Sequence, residues 1–244
     1  MRYGVCGLLA ALLTTAFWSL PSEAAPRAQL DYVEKVLGAE PDAELPLLVV
    51  VHGLGDTPEN YLSVFDDLAT PVRLVAPRAP DPHAVGSSWF PIDDLLKAPR
   101  VIRERADALA RLIERLARTR PTRGRPIVTG FSQGGVLSFA LAAYHPELRL
   151  AAALPVAGLL PKGGPPVRVA PPPFRVVALH GTADPRIPYV RGVDAVERLR
   201  AAGGNATMFD YPGVGHAFSE PMLVRYYSLL REELTRATQA RATR

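Results

Sequence analysis

Residues 126–135 read PIVTGFSQGG and join an apolar run to a helix-forming run through a tight turn. The β-branched beginning is typical of a buried strand, and the Ala- and Leu-rich residues 133–144 predict a helix. The turn between them has the pattern G-x-S-x-G. Glycine is required there because a side chain at Gly130 or Gly134 would collide with neighbouring backbone. The stretch therefore predicts a strand, a sharp turn and a helix, with the side chain of Ser132 presented at the turn.

The same alternation of short apolar runs and longer amphipathic runs continues in both directions. Residues 45–51 (LPLLVVV) are almost continuously apolar, as expected for a strand whose sheet is covered by helices on both faces. Further strands are predicted at residues 72–76, 126–129, 150–156, 174–179 and 206–211. Helices are predicted at residues 59–68, 100–118, 133–144, 190–202 and 221–237. The pattern predicts an α/β fold with a doubly wound, mostly parallel sheet and helices on both faces, to which residues 29–37 add an antiparallel edge strand.

Two stretches rich in Pro and Gly, residues 77–99 and 158–173, show no regular periodicity. Loops of this length in a compact domain are usually functional or mobile. Both follow predicted strands, so we expect them near the carboxyl edge of the sheet, where open α/β folds bind ligands.

Composition sets the class of protein. The chain has 244 residues, of which 48% are hydrophobic and 21% charged, so it suits one domain with a packed core. The formal net charge is +4, but the arginines between residues 100 and 125 alternate with Glu and Asp. That pattern indicates a solvated helix face rather than a phosphate-binding stripe, so no nucleic-acid partner is expected.

The N-terminus has the pattern of an export signal. Arg2 supplies a short positive region, and residues 4–20 are almost wholly apolar or small. Ser22 and Ala24 then stand at the −3 and −1 positions of a cleavage site. The alternative is a retained membrane anchor, although the apolar run is slightly shorter than the ~20 residues of a spanning helix.

These features predict a signal peptide at residues 1–24, which leaves residues 25–244 for the α/β domain. The mature chain is then expected to be periplasmic or secreted, with no stable membrane span after signal removal. Cys6 is the only cysteine and lies in the predicted signal peptide. Cleavage would leave no disulfide, no catalytic thiol and no cysteine-based metal site.

A serine hydroxyl is a weak nucleophile at neutral pH and needs a base. His216 is the favoured base, because it stands in the loop GVGHAF after the last predicted strand. Asp184 directly follows the strand at residues 174–179 and is the favoured acid, whose role is to orient the imidazole. The resulting order of nucleophile, acid and histidine is that of α/β-hydrolases. His52 and His180 end apolar strands and are interpreted as structural.

The Gly-rich turn that follows the strand at residues 45–51 is a candidate oxyanion hole. Such a turn leaves backbone N–H groups free to point at a developing negative charge. We expect one donor at Leu54 and the other at the residue after the nucleophile, Gln133. The alternative is that Gly53 and Gly55 merely form a tight turn.

Together these motifs resemble the phospholipase/carboxylesterase branch of the α/β-hydrolases, which includes bacterial carboxylesterases and acyl-protein thioesterases. The matching stretches are HGLGDTPENY (52–61), SWFPI (88–92), GFSQGG (130–135), HGTADPRIP (180–188) and GVGHAF (213–218). The resemblance implies a serine carboxylic-ester hydrolase for small-molecule or lipid-like esters, without a cofactor or a metal ion. It also implies that Trp89 and Phe90 lie beside the acyl pocket, and it leaves a homodimer open.

The sequence leaves three alternatives open. The predicted signal peptide is atypical of cytosolic thioesterases, so an exported polyester depolymerase or feruloyl-type esterase is a second hypothesis. A catalytically inactive hydrolase fold that serves as a binding protein is a third. For Trp89 and Phe90, the alternative to a substrate contact is a local clamp that packs the loop onto the domain.

Overall fold

The computed structural model describes residue 1 and residues 29–91, 99–169 and 174–239. Apart from Met1, the predicted signal peptide at residues 1–24 lies outside the described residues, and its cleavage stays a prediction. In the ranges that are described, no helix combines the length and apolarity needed to cross a membrane.

The described residues form strands and helices in the alternating order that the sequence predicts. The strands are β1 (Tyr32–Leu37), β2 (Leu47–Val51), β3 (Val72–Pro77), β4 (Asp81–His83), β5 (Gly86–Ser88), β6 (Ile127–Phe131), β7 (Ala152–Val156), β8 (Arg175–Gly181) and β9 (Asn205–Tyr211). The helices are α1 (Pro58–Ser63), α2 (Pro99–Thr119), α3 (Gln133–Tyr144), α4 (Tyr189–Ala201) and α5 (Glu220–Gln239).

Seven strands form the main sheet in the order β1-β3-β2-β6-β7-β8-β9. β1 is an antiparallel edge strand on β3, and the other neighbours are parallel. Successive residues of β2 enter different cores: Leu47 packs with α2, α3 and α4 on one face, and Leu48 packs with α1 and α5 on the other. The prediction of a doubly wound α/β-hydrolase fold is therefore confirmed.

The arginine-rich helix α2 has both a face with ion pairs and a buried apolar stripe, as the sequence indicates. Arg100 pairs with Glu104, and Arg103 with Asp107, each one helical turn apart. The opposite stripe of the helix, which includes Leu109 and Ile113, is buried in the core. Two of its basic residues thus take part in i,i+4 pairs of the kind that stabilise a solvated helix face.

One predicted helix ends early. The helix predicted over residues 59–68 stops at Ser63 and is followed by a 3-10 turn at Asp66–Leu68. Phe65 and Leu68 are completely buried in the same core cluster. Residues three apart lie on the same side in 3-10 geometry, so the tighter turn directs both side chains into the core.

The stretch at residues 77–99 contains a hairpin that sequence periodicity does not reveal. β4 and β5 pair antiparallel, with Asp81 opposite Ser88. Their connection places Ala84 at φ 50°. Each strand is three residues long and Pro82 interrupts the first, so the alternation that normally indicates a strand is missing.

Candidate active site

Ser132 lies at the apex of the turn between β6 and α3, with φ 57° and ψ −117°. This conformation is strained for a residue with a side chain, and it presents the hydroxyl at the carboxyl edge of the sheet. A Cβ on Gly134 would lie 1.8 Å from the carbonyl oxygen of Val51, and one on Gly130 would lie 2.6 Å from that of Gly134. The need for glycine at both positions, predicted from the sequence, is confirmed.

The imidazole of His216 joins Ser132 to Asp184. His216 Nε2 is 2.9 Å from Ser132 Oγ, and Nδ1 is 2.7 Å from Asp184 Oδ2. Since a carboxylate only accepts, Nδ1 carries the proton and donates to Asp184, which leaves Nε2 to accept from the serine hydroxyl. The ring also packs on Phe131, with centroids 4.9 Å apart, and this contact helps to fix its position.

Asp184 follows β8, and its side chain is completely buried. Its Oδ1 accepts hydrogen bonds from the backbone N–H groups of Arg186 and Ile187, at 2.8 and 2.9 Å. Both carboxylate oxygens are thus occupied, one by the backbone and the other by His216. This arrangement fixes the carboxylate in the orientation that the imidazole requires.

The loop that carries His216 is tied to the end of β8. Ala183 donates its N–H to the carbonyl oxygen of Val214, and Thr182 donates to that of Tyr211. The two segments approach so closely that a Cβ on Gly181 would lie 2.2 Å from the Val214 oxygen. Main-chain contacts therefore set the separation of the acid and the base.

The structure brings the three predicted residues into one hydrogen-bonded chain of hydroxyl, imidazole and carboxylate. In such a chain the imidazole can take the serine proton, and the carboxylate stabilises the imidazolium that results. The chemistry that fits this arrangement is nucleophilic attack by a serine oxygen.

Of the two residues predicted to supply oxyanion donors, Gln133 follows Ser132 in the chain and Leu54 lines the same cleft as the serine. A Cβ on Gly53 would lie 3.6 Å from Ser132 Cβ. Gln133 is the first residue of α3, where a backbone N–H has no acceptor within its own helix. Donation by these two N–H groups to an oxyanion stays a prediction that this placement favours.

The placement of Trp89 and Phe90 beside the acyl pocket stays a prediction, and the described contacts favour the alternative of a clamp. Both are 0% exposed, and neither lines the cleft. The Trp89 indole N–H donates to the carbonyl oxygen of His52 at 3.1 Å. Two adjacent aromatic rings remove more apolar surface from water in the core than at an open cleft, so the contacts are those of the clamp alternative.

The side chain of Gln133 has a role that sequence reasoning missed. Its Oε1 accepts from the backbone N–H of Trp89 at 2.9 Å, and its Nε2 donates to the carbonyl oxygen of Phe90 at 2.7 Å. The residue after the serine thus holds the segment that supports the turn at His52. The only feature of the sequence that could have indicated this role is the Gln that follows the serine of G-x-S-x-G.

The β4–β5 hairpin supports the predicted oxyanion turn from its other side. Gly55 donates its N–H to the carbonyl oxygen of Ser87 at 2.8 Å, and Ser87 donates to that of Asp56 at 3.1 Å. A Cβ on Gly86 would lie 2.4 Å from the Gly55 and Asp56 carbonyl oxygens, so the hairpin fits only with glycine there. These contacts hold the turn that contains Leu54.

His52 and His180 have the structural roles expected of them. His52 is hydrogen-bonded through Nδ1 to Gly53 O and accepts from the N–H of Ala79, whereas His180 is bonded to Ile187 O. Burial lowers the pKa of both imidazoles. Both histidines therefore stay neutral at pH 7 and tie strand ends to loops, rather than serving as a base for Ser132.

The serine and histidine open into a cleft of about 360 Å³. It is lined by Gly53, Leu54, Gly55, Asp56, Tyr61, Phe131, Ser132, Arg186 and His216. The charged residues Asp56 and Arg186 were not among the predicted site residues. Within the part of the chain that the structure describes, no group of His, Cys, Asp and Glu side chains is arranged to hold a metal ion.

Known proteins resemble this chain in sequence and in fold. An acyl-protein thioesterase 1 of Neurospora crassa is 28% identical over 204 residues, which cover 70% of this chain and 79% of the relative. A protein of Oryza sativa named "Probable inactive carboxylesterase" is 29% identical over 202 residues, which cover 75% and 80%. The crystal structure of esterase PE8 shares the fold, with a TM-score of 0.69 at 24% identity, over 85% of this chain and all of that one.

The family model for phospholipases and carboxylesterases matches residues 34–233, which include the whole of the site described above. This range extends from the edge strand into α5 and takes in the serine turn, the acid and the histidine in a single match. The chain therefore belongs to the phospholipase/carboxylesterase family of α/β-hydrolases, a family of esterase- and thioesterase-type hydrolases.

Proposed function

We propose that the protein is an exported serine hydrolase that cleaves carboxylic esters through an acyl-enzyme on Ser132. The observation that carries this proposal is the continuous hydrogen-bonded chain from Ser132 Oγ through His216 to the buried Asp184, at 2.9 and 2.7 Å. Its exposed end opens into the cleft, so an ester carbonyl has access to the hydroxyl.

In the proposed reaction Ser132 Oγ attacks the ester carbonyl while His216 Nε2 takes its proton. The N–H groups of Leu54 and Gln133 stabilise the negative charge on the tetrahedral oxygen. When the intermediate collapses, the imidazolium returns the proton to the leaving alcohol, and an acyl-enzyme remains. Water then attacks that ester with His216 as base, which releases the acid and restores the hydroxyl of Ser132.

The size of the cleft supports a preference for modest substrates. A volume of about 360 Å³ is at the lower end of ordinary ligand sites, which range over roughly 300–1,000 Å³. Leu54 and Phe131 give it a partly apolar lining. Short and medium acyl chains on small alcohols fit this space better than a long lipid or a polymer strand.

The experiment is a labelling and substrate series on the purified mature chain. We expect a fluorophosphonate probe to modify Ser132, as identified by peptide mass, and p-nitrophenyl esters from acetyl to octanoyl to be hydrolysed. A thioester and a polyester are assayed beside them. Faster release of product from the polyester than from any soluble ester would favour the depolymerase alternative instead.

A binding protein on a hydrolase fold is the second candidate, and the rice relative named as inactive is the observation that favours it. The two candidates differ in the reactivity of the serine. A folded chain that neither reacts with the fluorophosphonate nor hydrolyses any ester would overturn the enzymatic proposal and favour the binding role.

Export is the part of the proposal that rests on sequence alone. The positive, apolar and small-residue regions of residues 1–24 support it. We expect the protein isolated from its native host to begin within a residue of Ala25, as determined by N-terminal sequencing. A mature N-terminus at Met1 or Arg2 would contradict both the cleavage and the periplasmic or secreted location.

A further inference from the structure

The cleft carries one cationic side chain that the proposed reaction does not use. Among the described residues that line the cleft, Arg186 is the only lysine or arginine. Its side chain is exposed to solvent, whereas its backbone N–H is held by Asp184 Oδ1 at 2.8 Å. The next residue, Ile187, is buried. Arg186 thus presents an exposed cation from a hydrogen-bonded point of the main chain.

The guanidinium of Arg186 is available to a ligand. No carboxylate of the described residues lies within ion-pair distance of it, although many other arginines of the chain are paired. The other charged group of the cleft, Asp56, already accepts hydrogen bonds at Oδ1 from the N–H of Thr57 and the side-chain amide of Asn60. Its carboxylate is therefore held toward α1.

Arg186 also belongs to a definite side of the cleft. One carboxylate, Asp184, holds His216 through Oδ2 and the Arg186 backbone through Oδ1. The turn that contains Leu54, where the carbonyl oxygen is expected to bind, is a separate part of the cleft lining. Because His216 protonates the leaving oxygen, the alcohol portion of an ester lies on the histidine side, which is the side of Arg186.

We propose that Arg186 selects esters whose alcohol portion carries a carboxylate, an inference that rests on the proposed ester hydrolysis. The planar guanidinium donates two parallel hydrogen bonds to a carboxylate, which a lysine or a neutral side chain does not reproduce. The pair is open to solvent, so the expected preference is roughly two- to fivefold. The preference should decrease as salt screens the charges.

The test compares matched esters in the wild type and in Arg186→Gln. The alcohol-side pair is p-acetoxybenzoate and its neutral amide, p-acetoxybenzamide. The acyl-side pair is the p-nitrophenyl hemiester of succinate and its neutral methyl ester. The ratio of kcat/KM within each pair is compared between enzymes, because the intrinsic reactivity of each ester then cancels.

For the alcohol-side pair, Arg186→Gln should lower the ratio of kcat/KM for the anionic substrate to that for the neutral one by roughly two- to fivefold, mainly through KM. The acyl-side ratio should stay the same. Arg186→Lys should retain part of the preference, since it keeps the charge but cannot donate two parallel hydrogen bonds to one carboxylate. The matched control is Arg231→Gln, which removes the same charge from the exposed face of α5 and should leave both ratios at their wild-type values.

The outcomes separate this inference from the function on which it rests. An unchanged alcohol-side ratio in an Arg186→Gln enzyme that still cleaves p-nitrophenyl acetate would overturn the role of Arg186 and leave the esterase proposal intact. A change confined to the acyl-side ratio would overturn the assignment to the alcohol. A wild-type protein that hydrolyses no ester would overturn both the esterase proposal and the role of Arg186.

Discussion

Replacing Ser132 by alanine is expected to lower ester hydrolysis by about a millionfold, the order of effect seen when a triad nucleophile is removed. In the proposed reaction, the change deletes the oxygen that forms the covalent bond to the acyl group. It should not unfold the protein, because the hydroxyl contacts His216 Nε2 at the open end of the hydrogen-bonded chain. The measurement is kcat of the purified variant, with circular dichroism and the thermal midpoint as checks of folding.

The matched control is Ser63→Ala, which removes a hydroxyl from an exposed position at the end of α1, outside the cleft. This variant should turn over esters at the wild-type rate and react with the fluorophosphonate, whereas Ser132→Ala should do neither. Substantial hydrolysis by folded Ser132→Ala, freed of wild-type contamination, would mean that another residue is the nucleophile.

The features of this protein that sequence predicts well are those determined by residues close together in the chain. β2 is buried on both faces and is therefore a continuous apolar run. The turn at Ser132 needs glycine on both sides because of backbone contacts that any such turn makes. Chain order then places Asp184 and His216 after neighbouring parallel strands, so their side chains meet at one edge of the sheet.

The parts that sequence predicts poorly depend on contacts between distant segments. Trp89 and Phe90 are two large aromatics in a polar loop, and that pattern fits a substrate wall as well as it fits a clamp. The deciding contacts are with Gln133, more than forty residues further along the chain. The hairpin that binds Gly55 is likewise defined by its partner rather than by its own periodicity.

Arg186 illustrates a different limit. A single arginine after Asp-Pro carries no periodic signal, and the basic composition of the chain makes one more arginine unremarkable in the sequence. Its position acquires meaning only when the fold shows that the carboxylate of Asp184 holds both this residue and His216. Specificity residues of this kind are set by the geometry around the site rather than by the motif that identifies it.

Asp184→Asn is expected to preserve the fold and to reduce ester hydrolysis by on the order of ten-thousandfold through the wrong imidazole tautomer. The amide oxygen of Asn is able to replace Oδ1 and accept from the N–H groups of Arg186 and Ile187, at 2.8 and 2.9 Å. The amide nitrogen then stands where Oδ2 was, 2.7 Å from His216 Nδ1. Because that nitrogen donates, Nδ1 must accept, and the ring proton moves to Nε2, which no longer takes the proton of Ser132.

The measurement is kcat/KM of Asp184→Asn as a function of pH, beside Asp194→Asn on α4 and Asp210→Asn on β9 as matched controls. These two carboxylates lie nearby in the chain, and neither is hydrogen-bonded to His216 in the described structure. Both controls should retain activity close to that of the wild type. If one of these two variants loses activity while Asp184→Asn keeps it, the aspartate changed in the inactive variant is the acid that orients His216. The hydrogen bonds seen at Asp184 would then not operate during turnover.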